Sequence, residues 1–390
     1  MNYKSLLIVL SLLLFSLPFS AQKPQKILGI AKEDKSLEYY LEQKELWEKE
    51  IKKDPENGNA WRQKYSAQRA FLQKSYPNLW QNDQAQIFSQ LNEIIVDAKE
   101  YIDGSFEFYF IKSLNSTGKE SIKYSKMAYE LDPDRNETHG WLFVDVVMNF
   151  KHKKAKKIGA RLLKNNLYSN ANLIWNLNSL NTMEKNSIFI GNGDLDIIPK
   201  WALQYGNGVR EDILVISRWS MANDESYRDS IFHKIGMNKL EKSIEDFTSP
   251  TEYVDYLTLH MLKNRKRKAY MTCGGDMNFF EKSGIADKIY LVGTTYVYSE
   301  NRFDNNRVLR ENLDQYQLDH LIKNFQKHPE DQMINTHMHL SYLPGIMNVL
   351  EYYEKNNLAE KALYFEKVFK TIAAQSGKEK EVLGWYTPGS

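Results

Sequence analysis

Ser187-Ile188-Phe189-Ile190-Gly191-Asn192-Gly193-Asp194-Leu195-Asp196 decides the fold class of this chain. The apolar run reads as a short buried strand, and the Gly-Asn-Gly after it reads as a tight turn. Asp196 is then expected to cap a helix, with Pro199 in its first turn and Trp201 to Tyr205 continuing it. Asp212-Ile213-Leu214-Val215-Ile216-Ser217 supplies a second buried strand, so strand, turn, helix and strand make a βαβ unit with parallel strands. Further strands are expected at Ala269-Tyr270-Met271-Thr272-Cys273 and at Lys288-Ile289-Tyr290-Leu291-Val292-Gly293. Residues 185–310 are therefore expected to form an α/β domain around a central parallel sheet.

The sequence on both sides is helical. Between residues 22 and 184, Leu37, Tyr40, Leu41, Leu46, Trp47 and Ile51 mark one helix face, and the stripe stops at Asp54-Pro55 with Asn57-Gly58 supplying a turn. A helix restarts at Ala60-Trp61. The same punctuation returns where Met127-Ala128-Tyr129-Glu130-Leu131 closes at Asp132-Pro133, ahead of a helix around Trp141. Ala128, Asp132, Pro133 and the placing of Trp61 resemble tetratricopeptide repeats, helical hairpins of ~34 residues. The spacing between the two Asp-Pro pairs does not fit that period, and Glu50 stands where a small residue belongs. The region reads as a degenerate array, with an ordinary helical domain as the alternative. In residues 311–390, Tyr353 and Ala362 flank Asn356-Asn357-Leu358, and Phe365, Phe369 and Ala373 follow, which resembles one such hairpin. The expected class is α plus α/β: a helical array, the central domain and a C-terminal helical cap.

Residues 1–21 read as a secretory signal peptide. Lys4 precedes an apolar run from Leu6 to Leu17, and Pro18-Phe19-Ser20-Ala21-Gln22 offers a small-residue exit. The run is shorter than the roughly 20 residues that span a bilayer, so cleavage near Ala21 is expected, with an uncleaved anchor as the alternative. The expected location is outside the cytoplasm, the periplasm first, with the cell surface or secretion as alternatives. Fifty-two basic against 50 acidic residues leave a net charge of +2, which gives no global pull toward nucleic acid. Cys273 is the only cysteine, so no internal disulfide forms, and a buried thiol is expected.

The order Ile188-Phe189-Ile190-Gly191-Asn192-Gly193-Asp194-Leu195-Asp196, Pro199, Trp201, Leu203, Gly208-Val209-Arg210, Asp212 and Val215 resembles the extramembrane part of bacterial family 117 glycosyltransferases, membrane enzymes similar to protein O-mannosyltransferases. Lys268-Ala269-Tyr270 and Ile289-Tyr290-Leu291-Val292-Gly293 extend the likeness, which covers residues 187–376. Those enzymes place a many-helix membrane segment before the module, whereas here a helical array precedes it. The resemblance thus implies a shared accessory module, for acceptor recognition or complex assembly, and not the transferase activity.

Gly193, Asp194, Asp196, Arg218 and Trp219 are the candidate ligand-binding residues, because open α/β sheets bind ligands at the carboxyl ends of their parallel strands. Asp194 and Asp196 form an Asp-x-Asp pair able to hold a divalent metal, the one cofactor admitted, since hard cations favour carboxylate oxygens. Against this, helix capping already accounts for one of them. His337-Met338-His339 would make a metal pair only on a strand, whereas the local pattern is helical. Two basic runs, Lys151 to Lys157 and Lys263 to Lys268, lack interleaved aromatics for base stacking and read as solvated ends, or as contacts with an anionic membrane surface. The function expected is a non-catalytic, exported interaction protein that binds an envelope protein or glycan in glycosylation or assembly. The alternative is a soluble glycan-active enzyme using Asp194 and Asp196 as metal ligands or acid/base groups.

Overall fold

The computed structural model describes residues 23–30, 32–263, 266–273, 277–322, 328 and 331–386. The signal-peptide reading and Gly274-Gly275 lie outside the described residues. Two compact units emerge, one from Lys35 to Asn115 together with the segment up to Gly29, the other from Ser116 onward together with Ile30–Asp34.

In the first unit, helices Leu37–Lys53, Gly58–Ser75, Pro77–Asn82, Gln84–Ile102 and Phe106–Leu114 follow one another. Side chains close their first turns: Ser36 Oγ accepts from Tyr39 N–H at 3.2 Å, Asn57 Oδ1 from Ala60 N–H at 3.0 Å and Ser105 Oγ from Phe108 N–H at 3.1 Å. The first helix stops before Asp54-Pro55 as the sequence indicates, and Trp61 Nε1–H donates to Pro55 O at 2.8 Å. Trp61, Tyr65, Ile87, Leu91 and Ile111 form the core. Of the expected stripe, Tyr40 and Ile51 are buried, while Leu41 faces solvent.

The second unit holds a five-stranded sheet in the order β2-β1-β3-β5-β4, with β1 at Ile188–Gly191, β2 at Leu214–Ser217, β3 at Ala269–Thr272, β4 at Ile289–Leu291 and β5 at Thr295–Tyr298. β1 runs parallel to β2 and β3, whereas β5 runs antiparallel to both β3 and β4. The sheet is therefore mixed, which corrects the expectation of a parallel sheet. Only Val292-Gly293-Thr294 joins β4 to β5, too short for the crossover of a dozen or more residues that parallel neighbours require.

The pleat sorts the side chains. Phe189, Val215, Tyr270 and Val297 face one layer with Trp201, Ile197 and Phe143. Ile188, Ile190, Ile216, Ala269 and Met271 face the other with Ile231, Phe232, Leu257 and Met261. Helix Asp194–Asn207 covers the first face, and helices Glu225–Ile235 and Pro250–Leu262 cover the second. The helices from Gly118–Leu131 to Asn170–Thr182, which the sequence groups with the N-terminal array, belong to this unit. Helices Leu343–Lys355 and Ala359–Gln375, joined through Asn356-Asn357-Leu358, close a further core around Ile346, Val349, Tyr353, Phe365 and Phe369. No helix among the described residues is long and apolar enough to cross a membrane.

Helix His152–Lys164 lies on helix Asp194–Asn207 through two glycines. A Cβ at Gly206 would stand 2.9 Å from Ala160 N and from Gly159 C, so the two backbones touch only because neither residue carries a side chain. Gly206→Val is expected to force the helices apart and cost about 2 kcal/mol. Thermal unfolding checks this: a melting temperature unchanged from the native chain would contradict the close contact.

Candidate functional site

The strand-turn-helix around β1 uses nearly every residue of its motif to build itself. The helix begins at Asp194, so Gly193 is its N-cap and Asp196 sits in its first turn at the third position. This corrects the expectation of Asp196 as N-cap. Its carboxylate instead reaches back, accepting from Asn192 N–H through Oδ2 at 3.1 Å and from Gly193 N–H through Oδ1 at 2.9 Å. The Gly193 N–H is one of the donors that the start of a helix leaves without partners, and Asn192 N–H lies in the turn just before it. Asp196 is buried, which pushes its carboxyl above the ordinary range, while Lys200 and the two N–H donors pull it back. With both oxygens committed to backbone, Asp196 is poorly placed to chelate a metal alongside Asp194.

Pro199 lies within the helix and not in its first turn, a second correction. It has no N–H for the carbonyl of Leu195, four residues earlier. Asn176 supplies the substitute: its Nδ2–H donates to Leu195 O at 3.0 Å and to Asn172 O at 2.9 Å. Asn176 Oδ1 in turn accepts from Lys200 Nζ at 2.8 Å, and the same amine donates to Asp196 O at 3.0 Å. Lys200 is fully buried, with Nζ 4.2 Å from the centre of the Phe189 ring and 4.6 Å from that of Trp175. Burial lowers its pKa to about 7, against the pull of Asp196. No water reaches this amine, so it is a structural post and not an exposed nucleophile.

The rest of the motif is structural too. Trp201 Nε1–H donates to Val215 O at 3.0 Å, tying the helix to β2. Gly208 ends the helix in the left-handed conformation at φ 71°, and Val209 N–H closes onto Leu203 O at 3.1 Å. Arg210 pairs with Asp212 at 2.9 Å and clamps Leu180 O and Met183 O at 2.8 Å each. Asp194 stands apart: it is exposed, and among the described residues no side-chain hydrogen bond or ion pair engages it. Its side chain reaches solvent, yet the protein crowded around it desolvates the carboxyl and, with the Asp196 carboxylate second, pushes it above the ordinary range.

At the end of β2, Ser217 caps helix Arg218–Asn223, its Oγ accepting from Ser220 N–H at 3.2 Å. Arg218 is largely buried and turns toward Asp255 at 3.5 Å, with its guanidinium 5.8 Å from the centre of the Trp219 ring. Trp219 is half-buried. Because Gly191 is paired with Ser217, the residues read from sequence do share one edge, the carboxyl edge of β1 and β2. Arg218 is nevertheless committed to Asp255 on the far-face helix and does not floor an open pocket with Asp194. Two recesses at the protein surface lie elsewhere, one beside Phe150, Asp229 and His233, the other beside Asp314, Lys361 and Tyr364.

Sequence reasoning missed other polar groups at this edge. Among the described residues, Asn192 Oδ1 and the Thr295 hydroxyl are buried without a hydrogen-bond partner. Thr295 pairs in register with Thr272 at the end of β3, and Cys273 N–H donates to Thr294 O at 3.0 Å. The strand order places β2 and β3 on opposite sides of β1, which makes the carboxyl end between β1 and β3 a topological switch point. The dipeptide Thr294-Thr295 after a glycine was the available signal. Cys273 is half-buried, and burial pushes its thiol up to about 11, so it carries no thiolate at neutral pH.

His337 and His339 occupy helical backbone, with His337 exposed and His339 buried, so they face apart. His339 instead meets His320, their Nε2 atoms 3.4 Å apart. Among the described residues, no group of three or more His, Cys, Asp or Glu is placed to hold a metal ion. Comparison with known protein families and with curated proteins finds no match for this chain.

Proposed function

We propose that this chain is an exported interaction protein, an accessory in envelope glycosylation or assembly, whose α/β unit binds a protein or glycan partner at the carboxyl edge of β1 and β2. The observation that carries the reading is the division of labour between the two carboxylates: Asp196 holds the turn, and Asp194 alone is left to solvent. Acid/base hydrolysis of a glycoside uses two carboxyl groups flanking one bond. A single exposed carboxylate near a half-exposed Trp219 suits recognition, by accepting hydroxyl hydrogen bonds beside an apolar sugar face. The resemblance to the extramembrane module of family 117 glycosyltransferases supports the same role, as do the helices read as tetratricopeptide-like, since helical arrays offer extended binding surfaces.

Affinity capture of the mature protein from envelope extracts, followed by mass spectrometry, tests this. Asp194→Asn is expected to lower recovery of the partner about tenfold, the worth of one hydrogen bond to a charged group. Its melting temperature should not change. Recovery equal to that of the native protein would remove Asp194 from the binding edge.

A further inference from the structure

The two basic runs differ in what their side chains do. In the second, Lys266 Nζ donates to Gly236 O at 2.6 Å and Lys268 pairs with Glu184, so these two lysines hold the fold and Lys263 alone of its described lysines is exposed without such a contact. In the first, Lys156 pairs with Glu211 at 3.2 Å, and Arg161 turns to Pro133 O at 3.2 Å. Lys151, Lys153, Lys154, Lys157 and Lys164 are exposed, and among the described residues no carboxylate pairs with any of them. Helix His152–Lys164 contains no acidic residue at all. At 100° per residue, Lys153, Lys154, Lys157 and Lys164 fall within roughly a 100° arc. Ala155, Gly159 and Leu162 are buried on the opposite side, where Gly159 meets Gly206. The whole chain carries a net charge of only +2, so this is a local concentration of charge and not a reflection of the average.

We propose that this helix face docks the protein on an anionic bilayer surface. Three features favour a plane of lipid headgroups. The stripe is convex and about 16 Å long from Lys153 to Lys164, at 1.5 Å per residue, so it presents its charges to a plane. A single nucleic acid strand is held by aromatic rings that stack on its bases, and the helix carries no Phe, Tyr or Trp, while its one ring, His152, packs against Tyr205. The glycine contact beneath it fixes the helix, so its lysines reach the surface together. A lysine near an anionic leaflet contributes about fivefold to binding, so four on one face give on the order of several hundredfold.

The test is sedimentation of the mature protein with vesicles of phosphatidylcholine containing 30% phosphatidylglycerol (roughly the anionic content that a polybasic contact senses) and with phosphatidylcholine alone. Binding is expected to the anionic vesicles only, and to weaken as salt rises. Lys153→Glu/Lys154→Glu/Lys157→Glu should bind at least a hundredfold more weakly, with unchanged circular dichroism and melting temperature. The same charge change elsewhere, Lys49→Glu/Lys99→Glu/Lys119→Glu, should leave much more of the binding. If the first triple variant does not fold, Lys153→Gln/Lys157→Gln should still lose about 25-fold. No binding of the native protein to anionic vesicles overturns the proposal, as does equal loss in both triple variants. Binding to a sulfated polysaccharide without binding to vesicles overturns it as well, and assigns the face to an anionic polymer.

Discussion

Acidification from pH 7.5 to 5 is expected to weaken the unit that begins at Ser116 by roughly 3–4 kcal/mol, through His320 and His339. Burial lowers His320 to about 4 and His339 to about 3, and the His320 ring further disfavours charge on His339. Asp319, Asp331 and the Gln317 carbonyl support charge on His320, and the Tyr342 ring packs 6.0 Å from His339 without offering any. Both folded values lie below the unfolded value near 6.5, so the unfolded chain takes up protons first as pH falls. The stability is fully present above about pH 6.5 and declines as pH falls through the window toward 4 and 3. Each ring forgoes roughly 2 kcal/mol by pH 5, at 1.4 kcal/mol per unit. His139, lowered by burial and then by Arg161, adds the same sign, so the difference between proteins is the quantity to read. His320→Leu/His339→Leu, followed by urea unfolding at pH 7.5, 6 and 5, should flatten the slope by most of that amount. An unchanged slope would mean that the two rings already accept protons in the folded chain.

Asn176→Leu is expected to cost roughly 3–5 kcal/mol although it nearly preserves volume. The amide answers the carbonyl that Pro199 leaves open at Leu195 and also accepts from the buried Lys200 amine. Removing it leaves both without that partner in a site closed to water, at about 1–3 kcal/mol each. The proline supplies a check on the cause. Pro199→Ala restores an N–H for Leu195 O, so adding it to Asn176→Leu should recover about 1–2 kcal/mol. Chemical denaturation of the four proteins in this cycle measures the coupling. Strict additivity would show that the Leu195 carbonyl does not depend on Asn176.

β1, β2 and β3 were legible because Ile188-Phe189-Ile190, Leu214-Val215-Ile216 and Ala269-Tyr270-Met271 are apolar on both faces, as central strands are. β5 was not, because Thr295-Tyr296-Val297-Tyr298 follows β4 after a three-residue turn and the two merge into one run of strand-forming residues. A carboxylate in a Gly-Asp-x-Asp sequence can serve at the N-cap or at the third helical position, and the period of a helix does not distinguish them. Gly193 took the cap, and Asp196 became its brace. The partners that explain Pro199 and Lys200 come from Asn176, on a helix more than a turn of sequence away, and the histidine pair joins His320 to His339 across a similar gap. Such pairings arise from packing, and no spacing rule announces them. The edge itself was legible, since Gly193, Asp194, Asp196, Arg218 and Trp219 all reach the carboxyl ends of β1 and β2. Which of them remain available to a ligand was not.

The division between a bracing Asp196 and an available Asp194 is tested most directly by following envelope glycoprotein captured by the mature protein over time, with its glycans analysed before and after. The partner should be retained with its glycans unchanged. Asp194→Asn should lose the partner at an unaltered melting temperature, whereas Asp196→Asn should lower the melting temperature. Progressive shortening or transfer of the glycan, abolished by Asp196→Asn in a protein that melts like the native one, would contradict the binding role and make the pair catalytic.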